Sequence, residues 1–344
     1  MTKATINDVA RLAGVSIKTV SRVVNLEPNV RQATQAKVEQ AIAELSYKPN
    51  RFARNLASNH SHLIGLVYDD PSAYEAASSG YITYLQQGCL RACRTANYEL
   101  LIHPCRYASK EVVPELKALI ETISPAGIIL AAPLSNMPRI VEAIEASGTP
   151  LVRLSPGGDD GKQFSVNTND REICAEMTRY LASLGHGKIA FIRGHPKHKA
   201  VANRYLGYRD GLRESGLALS EHFVEQGDNS IGTGEECATR LLTGNNPPTA
   251  IFAANDDMAA GVMRAAAKLG IRVPADLSVA GCDDISLARQ IHPTLTTIRQ
   301  PLDAMAELAA LSFMGNSGKK KPPGGGKMVS STLQIRESTG PVRA

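Results

Sequence analysis

The sequence predicts a helix-turn-helix head of three helices plus a hinge, followed by an α/β body of two doubly wound parallel-sheet lobes. Three observations predict it. Apolar residues recur at helical spacing as far as Leu45, then give way from Leu63 to short continuous apolar runs separated by amphipathic stretches. The chain of 344 residues carries 38 basic and 33 acidic groups, of which nine and four lie in residues 1–60, leaving 29 of each in the remainder. All of the positive excess therefore sits in a small N-terminal segment, the signature of a polyanion-binding head on a neutral body. Finally, a loop-like break, SPGGDDGK at Ser155–Lys162, separates two sets of strand–helix units.

In the head, Ile6, Val9, Ala10 and Ala13 follow the i, i+3, i+4, i+7 pattern, with Thr5 as N-cap and Gly14 as terminator. Ser16 caps a second helix whose Val20, Val23 and Val24 face inward, and Val38, Ala41, Ile42 and Leu45 stripe a third. Pro49 and Asn50 stop that helix. Arg51–Ser58 (RFARNLAS) is a helix too short to hold alone in water, and Asn59–His62 is a linker. The expected domains are residues 1–48 for the head, 49–60 for the hinge and linker, and 61–344 for the body.

In the body, strand-length runs occur at 63–68, 98–103, 127–132, 151–154, 188–194, 250–255 and 277–284. Helix-length stretches lie between most of them, for example 81–96, 109–124, 136–147, 170–184 and 256–269. Alternation of this kind with apolar strands means parallel sheets covered on both faces, wound by right-handed crossovers. The expected division is a first lobe of about 61–163 plus 301–327 and a second of about 164–300 plus 328–340. GNSGKKKPPGGGK (315–327) reads as a loop and STLQIRES (331–338) as a final strand. Open α/β sheets bind ligands beyond the carboxyl ends of their strands. Asp69, Asp70, Asn255, Asp256, Asp283 and Asp284 stand at such ends.

Several function classes are set aside. Cys89, Cys93, Cys105, Cys174, Cys237 and Cys282 form no CxxC pair and read as buried free thiols. The first residues contain no signal-peptide run and no stretch is long enough to span a membrane, so a cytoplasmic protein is expected. GNSGKK lacks the spacing and Ser/Thr of a phosphate-binding loop; no GxGxxG follows the first body strand, and GxSxG is absent. His195 and His198 have no acidic or Cys neighbours in sequence, so a surface or cleft-rim role is expected rather than a metal site. The adjacent Asp pairs point to opposite faces of a strand, so each offers one carboxylate to a given site. No catalytic residue, metal or cofactor is expected.

The head's chemistry lies in INDVARLAGVSIKTVSRVVN (6–25). Ser16, Ile17, Lys18, Ser21, Arg22 and Asn25 are the non-core positions of the second helix. Ile17 and Lys18, in its first turn, are placed for base edges: Lys18 donates to guanine acceptors and Ile17 packs on a thymine methyl. Thr5, Thr19, Ser21 and Asn25 suit phosphate contacts that set register.

TINDVARLAGVSIKTVSRVVN and KVEQAIAELSYKPNRFARNLAS closely resemble the head and hinge of the lactose-repressor (LacI/GalR) family. The resemblance continues through SLGHGKIAFIRG, NRYLGYRDGL, PTAIFAANDDMAAGVMRAAAKLGIRVPADLSVAGCDD and LTTIRQP, covering nearly the whole chain. It implies a homodimer whose heads bind palindromic operator DNA, with Leu56 as minor-groove wedge and Arg51, Arg54 and Asn55 near phosphates. It also implies a periplasmic-binding-protein-like body that takes a small effector, most often a sugar, between its lobes. Arg204, Asn255 and Asp283 fall on the family's ligand-contacting positions, as do Asp69 and Tyr81. An Arg fork and an Asp or Asn clasp adjacent hydroxyls or a polar ring edge. A nucleobase-sensing corepressor is the alternative within the family, and a sugar-binding protein without regulatory role is the other. The chain departs from the family pattern at Asn229, where several members carry an aromatic, and in an unusually long loop at 69–80. It has no leucine-heptad tail for tetramers.

Overall fold

The structure is a computed structural model describing residues 4–24, 29–47, 61–69, 80–158, 161–314 and 324–343. It falls into two units, Met1–Ser61 and His62–Ala344.

In the first unit, α1 (Ile6–Ala13) opens with the expected cap: Thr5 Oγ1 accepts the Asp8 amide and Asp8 Oδ2 accepts the Thr5 amide. These bonds from Thr5 hold the Asp8 carboxyl below its usual range. Gly14 ends the helix at φ 64°, a left-handed turn that only glycine enters without strain, and its amide reaches back to the Ala10 and Arg11 carbonyls. That turn starts α2 (Ile17–Val24), where Ser16 Oγ accepts the Thr19 amide at 3.2 Å. α3 (Gln32–Glu44) closes the bundle. Val9, Val20 and Val38, one from each helix, are fully buried at its centre. Leu45, expected on the stripe of α3, instead caps it and packs at the margin of this core. Asn25 and the hinge with Arg51, Arg54, Asn55 and Leu56 lie outside the described residues, as do Asp70, Asp159, Asp160 and 315–323.

The second unit holds two six-stranded sheets. The first contains β1 (Leu63–Asp69), β2 (Glu99–Cys105), β3 (Gly127–Leu130), β4 (Leu151–Leu154) and β5 (Phe164–Thr168), joined by β11 (Gly325–Val329). Its order is β11-β5-β4-β3-β1-β2, parallel throughout. The second sheet contains β6 (Ile189–Arg193), β7 (Val224–Gln226), β8 (Ala250–Ala253), β9 (Ser278–Asp283), β10 (Thr296–Arg299) and β12 (Thr332–Gln334). Its order, β12-β10-β9-β8-β6-β7, repeats the winding of the first, except that β12 runs antiparallel. The helices used below are α4 (Gly80–Ala96), α5 (Val112–Ile123), α6 (Pro138–Ala146), α7 (Asp170–Ser183), α8 (Lys199–Glu214), α9 (Ile231–Thr243), α10 (Asp256–Lys268), α11 (Leu287–Gln290) and α12 (Leu302–Leu311).

The expected lobe boundaries need correction. Phe164–Thr168 pairs with β4 and β11, so it belongs to the first lobe, and so do Met328 and Val329. SPGGDDGK is a connection inside one sheet; the chain crosses between lobes at 168–170, 299–302 and 329–332. A Gly/Asp-rich loop has the same composition whether it joins two strands or two lobes, and only the pairing of Phe164–Thr168 with β4 and β11 assigns it. The segment read as a loop at 315–327 likewise ends in strand from Gly325. The inner strands β3, β4, β8 and β9 are buried on both faces, as sheets sandwiched by helices require. The six cysteines are free and buried, Cys89 and Cys93 on one face of α4. Among the described residues no helix is long and apolar enough to cross a membrane.

Candidate functional site

Asp283 ends β9, and burial brings it into a cluster of polar groups. Its backbone has φ 128°, a value that L-residues rarely adopt, and Asp284 follows at φ 54°. Strain of this kind persists only where surrounding contacts fix it. Those contacts are present: Asp283 Oδ1 accepts from Arg204 Nη1 at 3.3 Å and from Gln300 Nε2 at 2.5 Å. Arg204, on α8 and only 3% exposed, also donates from Nε to Asp170 Oδ1 at 2.9 Å and from Nη1 to the Ala254 carbonyl. Thr168 Oγ1 donates to Asp170 Oδ2 at 2.7 Å. Burial raises the Asp283 carboxyl to about 7, against the opposing field of Arg204.

This chain of contacts spans the crossings between the lobes. Thr168 and Asp170 bracket the first crossing and Gln300 stands in the second. In the third, the Ser331 amide donates to Asn169 Oδ1 at 2.8 Å. The groups gathered around Arg204 are therefore bonded directly to segments that cross between the lobes.

The sequence-predicted residues divide. Arg204 and Asp283 are in contact. Tyr81, at the start of α4 in the first lobe, approaches them: its hydroxyl is buried, lies in the field of Asp283 and Arg204 and has only the Ser155 side chain as a hydrogen-bonding neighbour. Burial first, then Asp283, pushes its pKa up to about 12. Asn255 is the N-cap of α10, its Oδ1 accepting the Met258 amide at 3.0 Å while Nδ2 donates to the Asn229 carbonyl. Asp69 Oδ1 accepts the Tyr107 amide at 2.8 Å, which closes the turn after β2. Adjacent carboxylates do diverge. In the pair 283/284, Asp283 faces Arg204 and Gln300, whereas Asp284 faces Arg289, Arg299 and Arg336.

Two groups escaped the sequence reading, and a third, His198, expected at the surface or the cleft rim, is buried. Asp170 gave no signal because its partner, Arg204, is 34 residues distant, and Gln300 did not stand out because its partner is Asp283, 17 residues earlier. His198 heads α8 with its Nε2 buried and without a hydrogen-bond partner. Burial, then the charge of Arg204, then His195, pushes its imidazole down to about 3. The linkage sign follows from that depression. As pH falls from the unfolded value near 6.5 towards 3, the unfolded chain takes up a proton that the folded chain refuses, so stability is lost. His198→Gln is expected to remove this share. Between about pH 6 and pH 5 its unfolding free energy should gain on the wild type by roughly 1 kcal/mol, measured by urea titration. Parallel curves for the two proteins would place the imidazole in water.

In the head, Thr5, Ser16, Ile17, Lys18 and Arg22 are exposed and Thr19 and Ser21 half-exposed. Ile17, 49% exposed, is an apolar side chain left outside a well-formed three-valine core. Ser16 and Thr19 hydroxyls pair at 2.9 Å over the start of α2. Ile17 and Lys18 therefore stand in the first turn of the second helix, on the face turned away from the core.

A helix-turn-helix unit with a basic excess, joined to a two-lobed parallel-sheet body, defines a two-part DNA-binding regulator. A family model described as bacterial regulatory proteins, lacI family, matches residues 5–50, and one described as periplasmic binding protein-like domain matches 178–339. The chain is 31% identical over 337 residues to the probable HTH-type transcriptional repressor ExuR of Bacillus subtilis (strain 168), covering 97% of this chain and 98% of that protein. It is 34% identical over 307 residues to the ribose operon repressor of Escherichia coli (strain K12), covering 89% and 91%. The lac repressor dimer bound to operator and the anti-inducer ONPF superposes with a TM-score of 0.81 at 27% identity, over 98% of this chain and 100% of that one. The chain belongs to the lacI family of bacterial regulatory proteins.

Proposed function

We propose that the chain is a homodimeric transcriptional repressor acting in the cytoplasm, with no catalytic step. Its paired heads read a palindromic operator through Ile17 and Lys18, and a saccharide held between the lobes sets its operator affinity. The observation that carries the reading is the bonding of Arg204 and Asp283 to all but one of the interlobe crossings, through Asp170 and Gln300. His198 adds a buried ring nitrogen with no hydrogen bond beside that pair and Tyr81 a buried hydroxyl, and sugar hydroxyls donate and accept at such atoms. A ligand that takes over hydrogen bonds of Arg204 or Asp283 must alter those to the crossings, and so the preferred angle of the lobes. In a dimer that angle sets the spacing of the two heads, and by linkage operator and effector affect each other's affinity equally. The similarity to a ribose operon repressor and to a lac repressor bound to operator supports both halves.

The test is a thermal-shift panel on the full chain with mono- and disaccharides, sugar phosphates and purines. A specific sugar at about 100 times its Kd adds roughly 2.7 kcal/mol of stability. That gain should vanish in Asp283→Ala and the same sugar should change operator affinity in a gel-shift titration. A purine as sole hit would replace the sugar reading by the nucleobase one, with Tyr81 as stacking surface.

A further inference from the structure

We propose that His103, Cys105 and Glu115 form a binding site in the first lobe for a divalent transition-metal cation of the zinc class. The site stands apart from the Arg204 cluster and goes beyond the regulatory reading above.

β2 is the edge strand of the first sheet, so its alternate residues face the helix layer on one side. His103 and Cys105 share that side. Cys105 is buried in the core that includes Val112 and Leu116 of α5, and Glu115 stands on the first turn of the same helix. One ligand atom from each of the three residues lies within 4.8 Å of the others. His103 Nε2 is 3.2 Å from Glu115 Oε1, yet this nitrogen is closed off from solvent and makes no hydrogen bond. A plain imidazole–carboxylate pair would aim an N–H at the oxygen. Here the ring nitrogen and the carboxylate approach each other without that alignment, as two donors do when both address a third atom.

The lengths fit a tetrahedral ion. With metal–donor distances of about 2.0–2.3 Å, neighbouring donors stand roughly 3.3–3.8 Å apart. The His–Glu edge is already close to this, and a side-chain adjustment of about 1 Å brings in the sulfur. Imidazole, thiolate and carboxylate together select zinc-class ions; magnesium and calcium take oxygen donors. Three protein ligands leave a fourth position open, and Glu115, whose side chain is 47% exposed, lies on the solvent side where an ion enters. The strand end is fixed from behind, since Asp69 lies opposite Cys105 in the β1–β2 register and holds the Tyr107 amide. Sequence reading missed the site because His-x-Cys on a strand and a Glu ten residues on match no common spacing.

The experiment is titration of the tag-free, reduced, metal-stripped full chain with Co2+. Saturation at one ion per chain is expected, with intense visible d–d bands and a near-ultraviolet thiolate-to-cobalt charge-transfer band, both displaced by Zn2+. Cys105→Ser should abolish the charge-transfer band. Glu115→Gln, at an exposed position, should weaken Co2+ binding about tenfold or more while leaving the melting temperature of the metal-free protein unchanged. If C105S fails to fold, E115Q and His103→Gln carry the test. A wild-type titration without the charge-transfer band, a band that survives C105S, or affinity unchanged in E115Q overturns the proposal.

Discussion

Replacing Arg204 by Ala is expected to lower the unfolding free energy by about 3–5 kcal/mol and to abolish stabilisation by the effector. The first effect follows from what the guanidinium leaves behind. Asp170 and Asp283 are 5% and 6% exposed and face the same cation, so its removal strands two buried carboxylates. Asp283 already sits near 7 because burial opposes its charge, and without Arg204 it rises further and turns neutral. The second effect separates the proposed role from simple fold support. Arg204→Met with Asp283→Asn removes both charges while keeping volume, so much of the stability should return. Effector binding should not, because the fork and its carboxylate are both gone. Urea titration and a ligand-dependent melting shift read the two quantities separately. A double variant that still gains stability from the sugar would show that the effector rests on other residues.

How much of this could be read from the chain alone depends on the range over which each feature is encoded. The head was legible almost to the residue, because its determinants lie within four positions of one another: Thr5 with Asp8, Gly14 at the turn, Ser16 with Thr19. The long buried strands were legible as apolar runs. Short strands such as Val224–Gln226 and Thr296–Arg299 were not, because VEQ and TTIR are partly polar and form no continuous apolar run. The lobe boundary failed for a different reason. Which sheet Phe164–Thr168 joins is decided by pairing with Leu151–Leu154 and with residues some 160 positions later, and nothing local records that.

The site shows the same division. Arg204 and Asp283 came from motifs, whereas Asp170, which ties Arg204 to a crossing, has none, and Gln300 lies in LTTIRQP without standing out there. Asn255 and Asp69 illustrate the converse. A polar residue at a strand end serves a helix or a turn as readily as a ligand: Asn255 caps the next helix and Asp69 holds the turn after β2. Asn255 retains one amide proton and one lone pair beyond those bonds, so a contact with effector would have to be made in addition to the cap. Arg204 and Asp283 carry the stronger claim because their bonds lead to Asp170 and Gln300 at the crossings between the lobes.

Lys18→Ala is expected to cost about 1–3 kcal/mol of discrimination between operator and a site altered at the base it reads, a loss of roughly tenfold to a hundredfold in specificity. The argument starts from exposure. Val20, Val23 and Val24 commit one face of α2 to the core, which leaves the first turn as the part that can enter a major groove. Ile17 beside it is apolar and 49% exposed, a placement that nothing in the head rewards and a thymine methyl does. Lys18 and Ile17 should therefore differ in their salt response. Removing Ile17 should change base preference alone. Removing Lys18 should leave non-specific affinity nearly intact if the ammonium addresses a base, but should lower the salt slope by about one if it addresses a phosphate. Binding isotherms on operator, altered operator and random duplex at several salt concentrations distinguish these cases. Unchanged preference in both variants would move base reading off the first turn of α2, to residues beyond the helix-turn-helix core.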